Sequence, residues 1–200
     1  MEIKYKEIVL RDMVESDIED EIRWNTVQTE WALWDAPWEM EIRLPEFRPE
    51  EFRAKELEAL KEPLEEPRWS LELDTAEGVH IGSVNTYLID ENYEWIKRMD
   101  VQEGQKVFYA LGIEINEAAY WNKGLGTQAL AAFIQYHLQN GHSQLCVQTW
   151  SGNLRMIRCA EKLGFEECKR VAGKRQVRGG TYDGLTFQLN AEQFQRYLNG

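Results

Sequence analysis

The sequence predicts an α/β (α+β) fold in which a mixed, mostly antiparallel central sheet is flanked by helices. Two observations favour this class. Strand-like segments and segments with helical periodicity follow one another along the chain, and two glycine turns each join a pair of strand-like segments. The chain has 200 residues, 43% of them hydrophobic, and shows no shift in composition. We therefore expect one domain over residues 1–200, large enough to bury a substantial core.

Seven segments are typical of strands, because apolar residues alternate or run together between turn signals. They cover residues 2–11, 69–74, 79–89, 108–115, 145–149, 175–178 and 182–189. Apolar residues at helical spacing predict helices over residues 16–24, 49–62, 124–138, 153–163 and 194–198. Ser16 and Asp17 are the predicted cap of the first helix. Four tryptophans within residues 24–38 break the periodicity, which predicts a loop or a lid, and residues 90–106 are expected to form an exposed connection.

Composition and charge limit the classes of partner. The formal net charge of −12 disfavours a nucleic-acid or anionic membrane surface and would attract a cationic amine. No apolar run approaches the ~20 residues that span a bilayer, and the N-terminus lacks a signal-peptide pattern, so we expect a cytoplasmic protein. Cys146, Cys159 and Cys168 lack metal-ligand spacing, which predicts reduced thiols and no metal site.

A glycine loop is the first functional signal. Gly124 and Gly126 let backbone N–H groups approach an anion closely, and the helix that follows has a partial positive charge at its start. A dinucleotide-binding motif would need a strand directly before the glycines and an acid about 20 residues later, and a nucleoside-triphosphate loop would need Lys followed by Ser or Thr. This chain has neither. The loop alone is weak evidence for a pyrophosphate site.

Residues 108–189 resemble the GNAT superfamily of acyl-CoA-dependent N-acetyltransferases. Its signature is Q/R-x-x-G-x-G/A, followed by an asparagine and a terminal E-K-x-G-F, which Gly124, Gly126, Asn153 and residues 161–165 match. The Tyr-Trp-Asn-Lys-Gly-Leu-Gly segment looks most like the ribosomal-protein N-terminal and spermidine acetyltransferases. The helix that begins at Asn153 is similar to that of aminoglycoside 6′-N-acetyltransferases. The resemblance implies acetyl-CoA as cosubstrate and a sheet that is splayed beside the glycine loop to admit it.

The resemblance also implies a set of coenzyme-binding residues. They are Ile113, Ile115, Lys123, Gly124, Leu125, Gly126, Thr127 and Asn153. Backbone N–H groups of residues 125–127 would hold the pyrophosphate, and residues 113–115 would pair with the pantetheine arm and polarise the thioester carbonyl. Asn153 would help to fix the arm. Trp121 stands where the family usually has Gln or Arg, so that phosphate contact is lost or is replaced by one from Lys123.

The chemistry of amine acylation indicates a catalytic base. An alkyl ammonium with a pKa near 10 must lose a proton before it attacks a thioester, which requires a carboxylate or an ordered water. Glu114 is the predicted base, since it stands in Gly-Ile-Glu where aminoglycoside enzymes have Gly-Ile-Asp; the alternative is a solvated strand carboxylate. Relatives often have tyrosine or serine as the acid where this chain has Ala160 and Met156, so that role would fall to water or a substitute. The candidate substitutes are Tyr109, Tyr120 and Tyr182.

Aromatic side chains are the candidates for acceptor binding. We predict that Trp24, Trp34 and Trp150 line a pocket that binds a cation through ring faces, with ordinary packing as the alternative. The predicted reaction is direct transfer of acetyl from acetyl-CoA to a primary amine of a small molecule or of a peptide N-terminus, with a homodimer as a possible assembly. A noncatalytic acyl-CoA-binding or interaction module is the alternative, because Met156 and Ala160 remove the usual acids.

Overall fold

The computed structural model describes residues 1–200 and contains nine strands and six α-helices. The strands are β1 (Glu2–Tyr5), β2 (Ile8–Arg11), β3 (Ser70–Thr75), β4 (His80–Ile89), β5 (Trp95–Ile96), β6 (Phe108–Ile115), β7 (Leu145–Trp150), β8 (Phe165–Val177) and β9 (Gly180–Leu189). The helices are α1 (Asp17–Thr26), α2 (Pro37–Glu46), α3 (Pro49–Ala59), α4 (Leu125–Gln139), α5 (Leu154–Lys162) and α6 (Ala191–Asn199). None of these helices combines the length and the apolar character needed to cross a membrane.

The strands form one sheet in the order β1-β2-β3-β4-β6-β7-β9-β8, with β5 paired to β4. Every pairing is antiparallel except that of β6 with β7, which are joined through α4. A parallel pair needs such a crossover, because its strands run in the same direction. The predicted class is confirmed: a mixed, mostly antiparallel sheet flanked by helices.

The two neighbours of β6 pair with it over very different lengths. On one side β4 follows it from Phe108 to Ile115, whereas on the other side β7 pairs only at Tyr109 and Ala110. The sheet is therefore open between β6 and β7 beyond the start of the parallel pair. The N–H of Tyr109 donates to Gln144 O at 2.8 Å, on the β7 side. Because alternate residues of a strand direct their backbone groups to the same neighbour, those of Ile113 face the opening.

The two faces of the sheet differ in polarity. One face packs against α4 and α5 in a core cluster of 23 buried residues, among them Leu71, Val84 and Phe133. The other face has a polar row, in which Glu72 on β3 is the register partner of Ser83 on β4, and Ser83 is that of Glu114 on β6. Helices α4 and α5 thus cover one face of the sheet, while the polar row lies on the opposite face, where α1 packs at its β2–β4 end.

Several local predictions agree with the structure, and others are wrong for identifiable reasons. The hairpin of β3 and β4 is confirmed. Residues 2–11 form two paired strands instead of one, because Lys6 turns the chain at a φ of 52°. Ser16 does not cap α1, since it has helical φ and ψ and makes no capping bond. The Asp17 carboxylate instead accepts a hydrogen bond from the N–H of Val14 at 2.8 Å.

The larger differences lie in segments rich in tryptophan or charge. The predicted loop or lid contains a 3₁₀ turn over Glu30–Leu33 followed by α2, whose first residue is Pro37. Proline suits that position, where no N–H is needed. Residues 90–106 include the short strand β5. Strand β8 begins at Phe165, not near residue 175, and its many exposed charged residues hide the apolar pattern of a strand.

A buried ion-pair network fastens α1 to the sheet. Arg11 on β2 donates two hydrogen bonds to Asp17 at 2.6 and 2.9 Å, and two to Asp74 at 2.6 and 2.8 Å. The Asp17 side chain is only 3% exposed. Bidentate pairs of this kind fix geometry as well as charge.

We predict that Arg11→Met destabilises the protein by roughly 3–5 kcal/mol, because two carboxylates lose their buried partner. Arg53→Met is the matched control: Arg53 also contacts two acids, Glu19 on α1 and Glu50, but at the surface. Exposed pairs contribute little. Urea unfolding of both variants measures the difference. Equal effects would contradict a special role for the Arg11 network.

Candidate active site

A cavity of about 880 Å³ lies where β6 and β7 separate. Its walls come from β6, the end of β7, the starts of α4 and α5, the turn before α2, and β8. Concave sites of this size, with a few convergent polar groups, are the usual form of small-molecule sites. The opening in the sheet therefore leads into the candidate site.

One end of the cavity is the start of α4. Gly124 precedes the helix at a φ of 82°, a left-handed conformation that favours glycine, and a Cβ atom placed there would meet nothing within 4 Å. The N–H groups of Leu125, Gly126 and Thr127 lie in the first turn, where helices leave backbone donors without internal partners. A Cβ on Gly126 would touch Ile115 and Ile113 at 3.5 and 3.6 Å, which is ordinary contact. This end can bind an anion.

Strand β6 offers backbone hydrogen-bonding groups to the cavity. The backbone groups of Ile113 face the opening, where β7 no longer pairs with the strand. The carbonyl of Ile115 faces the same way but already accepts a bond from Trp121 Nε1 at 2.6 Å. An extended arm that enters the opening thus meets free main-chain groups at Ile113 and the N–H of Ile115. Such an arm would pair with β6 as an added strand does.

Basic side chains of α5 stand beside the start of α4. The Arg155 guanidinium lies 4.3 Å from the Trp34 ring and 4.5 Å from the Trp121 ring, and it lines the cavity together with Arg158 and Lys162. Their i, i+3, i+7 spacing places them on one helical face, and this spacing is visible in the sequence.

Lys123, the predicted substitute for a phosphate contact, does not line the cavity. Its ammonium lies 5.0 Å from the ring centre of Tyr120. The Leu125 side chain is also turned away and packs in the core, so only its backbone N–H can serve the site. The positive charge at this end of the cavity comes from Arg155 instead.

Asn153 holds two elements together. Its Oδ1 accepts a hydrogen bond from the Met156 N–H at 3.2 Å, which caps α5. Its Nδ2 donates to the carbonyl of Trp34 at 3.1 Å, and Trp150 Nε1 donates to the same oxygen at 2.9 Å. The Asn153 side chain lines the cavity, but its amide is engaged in positioning the turn before α2.

That turn brings Asp35 to Glu114, a partner that the sequence analysis missed. The two half-buried carboxyl groups lie within hydrogen-bonding reach of each other. Burial, together with the charges of Asp35 and Glu21, raises the pKa of Glu114 well above its ordinary value, and burial also raises the pKa of Asp35. Two carboxylates in contact cannot both ionise readily, so the pair shares one proton. Such a pair is a base whose pKa is raised toward neutrality.

The structure separates the three tryptophans predicted to bind the acceptor. Trp34 and Trp150 line the cavity. Trp24 does not: it is 0% exposed, its Nε1 donates to Glu117 at 2.9 Å, and its ring lies 4.7 Å from that of His80. The prediction that Trp24 contacts the acceptor is therefore wrong, because its ring projects from α1 and packs against His80 of β4 instead of reaching the cavity.

None of the three tyrosines proposed as substitute acids lines the cavity, although the side chains of Tyr87 and Tyr93 do. Tyr182 lies behind the wall, edge-on to Trp150 at 4.8 Å between ring centres. The Tyr87 hydroxyl donates to Gln148 Oε1 at 3.1 Å. Burial, and then the charge of Asp35, raises the pKa of Tyr87, so that it keeps its proton at neutral pH.

Possible metal ligands gather around His80, at the far end of the polar row. Two sets, Asp17 with Asp20 and Glu21 with Glu72, each place ligand atoms within 4.8 Å of one another together with His80. Both ring nitrogens of His80 already have partners, Asp20 at 3.1 Å and Glu72 at 3.0 Å. Burial opposes its charge, but these acids outweigh burial and raise the pKa of His80. The imidazolium itself offsets part of the negative charge of the cluster.

Comparison of the sequence with protein-family models identifies the family of this chain. The sequence matches the family model of the acetyltransferase (GNAT) domain over residues 7–166, so the chain belongs to the GNAT acetyltransferase family. No curated protein matches the sequence.

Three solved structures illustrate the shared fold. RimL, a ribosomal-protein alpha-N-acetyltransferase in complex with coenzyme A, has a TM-score of 0.66 at 13% identity, covering 94% of this chain and 97% of its own. The putative acetyltransferase yncA of Salmonella typhimurium, with its cofactor acetyl-CoA, has a TM-score of 0.60 at 17% identity, covering 92% and 94%. The ribosomal-protein-alanine N-acetyltransferase of Brucella melitensis has a TM-score of 0.60 at 20% identity, covering 90% and 97%. Transferase activity and coenzyme A binding are thus expected of the family fold.

The shared proton has a consequence for stability. A carboxyl group whose pKa is raised in the folded state makes that state bind more protons than the unfolded chain, so stability falls as pH rises through the folded-state pKa. We predict that wild type loses more stability than Glu114→Gln over the pH range that begins at the ordinary Glu pKa of 4.5 and extends upward, because the pKa of Glu114 in the folded state lies well above it. Thermal unfolding across this range measures the two slopes, and His80 contributes equally to both proteins. Glu50→Gln on exposed α3 should retain the wild-type slope. Identical slopes for Glu114→Gln and wild type would contradict the shared proton.

Proposed function

We propose that this protein transfers an acetyl group from acetyl-CoA directly to a primary amine of a small molecule or of a peptide N-terminus. The observation that carries the proposal is a single cavity in which the Asp35–Glu114 pair and the free backbone groups of β6 lie together. The same cavity reaches the start of α4. An acyl carrier and an amine can therefore meet at the carboxyl pair.

The residues present fit coenzyme A. First-turn N–H groups of residues 125–127 and the helix dipole suit the pyrophosphate, and the unpaired guanidinium of Arg155 suits a phosphate oxygen. Ile113 offers both an N–H and a carbonyl to the amides of the pantetheine arm. When bound, acetyl-CoA supplies an acyl group activated as a thioester.

The Asp35–Glu114 pair accepts the proton of the incoming ammonium. The pair holds one proton, so the acceptor is its remaining carboxylate; burial raises the pKa of Asp35 as well, which brings that carboxylate closer to the amine pKa near 10 than an ordinary one and improves it as a general base. The C–N bond then forms while the C–S bond breaks, and the N–H of Ile115, which faces the opening, would stabilise the carbonyl oxygen. No side-chain acid is required, since a thiol with a pKa of about 8.5 leaves readily as the thiolate. The absence of acids at Met156 and Ala160 is therefore compatible with catalysis.

The alternative, a noncatalytic acyl-CoA-binding module, does not explain the carboxyl pair. Burying two acids in contact is costly, and such groups cluster at functional sites. Isothermal titration with acetyl-CoA, followed by assay of free thiol with a panel of amines, separates the two functions. Coenzyme binding with no amine-stimulated thiol release would favour the module.

We predict that Glu114→Gln lowers turnover by roughly 10²-fold, because the amide cannot share the proton that the carboxyl pair takes from the ammonium. Coenzyme affinity should remain near the wild-type value, since Glu114 is not among the proposed coenzyme contacts. Initial rates of thiol release and titration with acetyl-CoA measure the two effects. Unchanged turnover would transfer the role of base to an ordered water or to another carboxylate.

We predict that Gly126→Val weakens acetyl-CoA binding by about tenfold or more, ~1.4 kcal/mol, because branched methyl groups would obstruct the approach to the first-turn N–H groups. Gly126→Ala is the matched control, since its Cβ makes only ordinary contacts. Gly124→Val should weaken binding too, through its left-handed backbone. Calorimetry with folded variants measures affinity, and wild-type affinity in Gly126→Val would reject this loop as the coenzyme site.

A further inference from the structure

The part of the cavity beyond the carboxyl pair has basic side chains that lack acidic partners. Arg43 on α2 and Arg175 on β8 line this part, and neither forms an ion pair. The Arg175 guanidinium instead lies 4.0 Å from the Trp38 ring, where cation–π contact fixes its position while leaving its N–H groups free. An unpaired, positioned guanidinium in a cavity is suited to binding a carboxylate.

The acids of this region do not neutralise these arginines. Asp35 and Glu114 share a proton, so together they carry about one negative charge. Glu94 is already engaged by two lysines of β8, at 3.4 and 3.5 Å. Glu39 is exposed and accepts a hydrogen bond from Trp38 Nε1 at 3.2 Å. In a chain with a net charge of −12, this wall therefore has an excess of positive charge.

The two arginines line the same cavity as the carboxyl pair. The charge of Arg43 acts on both Asp35 and Glu114 and opposes the rise of their pKa values. Arg175 and Asp35 both act on the Tyr87 hydroxyl, with opposite effects on its pKa. An amine that reaches the carboxyl pair is therefore in one cavity with both guanidinium groups, and Trp38 and Trp150, edge to face at 6.4 Å between ring centres, line it too.

We propose that the acceptor is an amine that also carries a carboxylate, the chemical class of amino acids. The amine lies at the Asp35–Glu114 pair, and the carboxylate binds Arg175 and Arg43. This inference rests on the proposed acetyltransferase function and specifies its substrate class. A polyamine is disfavoured, because its second ammonium would face these arginines without a carboxylate to receive it.

The test compares amino acids with their carboxamides, which keep the skeleton but lose the negative charge. Spermidine and a short peptide with an uncharged C-terminal amide complete the panel, and free-thiol release gives kcat/KM for each. The amine of a carboxamide is less basic and hence more abundant as the free base. A preference for the amino acid therefore cannot arise from amine basicity. We expect wild type to prefer at least one amino acid over its carboxamide by tenfold or more.

Arginine variants test whether Arg43 and Arg175 cause the preference for the amino acid over its carboxamide. Arg175→Gln and Arg43→Gln should reduce the acid-to-amide ratio toward one, whereas Arg196→Gln on α6, outside the cavity, should retain the wild-type ratio. A ratio is insensitive to partial loss of folded protein.

Equal or better use of carboxamides, spermidine or the uncharged peptide by wild type would overturn the substrate class while leaving the acetyltransferase function intact. An unchanged ratio in both arginine variants would also overturn it. If no amine stimulates thiol release, the proposed function fails, and this inference fails with it.

Discussion

The site depends on one backbone carbonyl, that of Trp34. It accepts hydrogen bonds from Trp150 Nε1 and Asn153 Nδ2, which fastens the turn before α2 to the end of β7. These hydrogen bonds position Asp35 beside Glu114. The two residues are far apart in the sequence, so no local sequence pattern could predict that they meet. Because Asn153 also caps α5, the same residue orients the helix that carries Arg155. The proposed coenzyme contact at Arg155 and the acid pair therefore depend on the same set of hydrogen bonds.

The second constraint is the unequal pairing of β6. Full pairing with β4 keeps the strand rigid, while early separation from β7 leaves main-chain groups free on one edge. In most sheets such free groups would be a liability. Here the start of α4 and the Trp34 turn surround the opening, so it becomes a cavity and not an exposed edge. Because β6 is held rigidly by β4 and has unpaired main-chain groups on its β7 side, the site is preorganised.

Strong periodicity made the central elements predictable. The extents of β6, α4 and α5 agree with the sequence-based expectations, because long apolar repeats leave little ambiguity. The glycine loop and Glu114 were found as local motifs. Asp35 was not, because it lies in a tryptophan-rich segment whose aromatic residues are buried on several sides and give no helical period. The prediction that Trp24 binds the acceptor was wrong for the same reason: composition cannot distinguish a ring buried between a helix and the sheet from one that lines a cavity.

Charge acts on two scales in this molecule. The net charge of −12 would draw cationic molecules toward the surface as a whole. At physiological ionic strength, however, exposed charges more than about 8 Å away are largely screened, whereas side chains in a partly enclosed cavity are screened much less. In the proposed mode of acceptor binding, Arg43, Arg175 and the Asp35–Glu114 pair therefore govern selectivity, and the net charge of the surface does not. A protein that is strongly acidic overall can thus hold a locally basic acceptor wall.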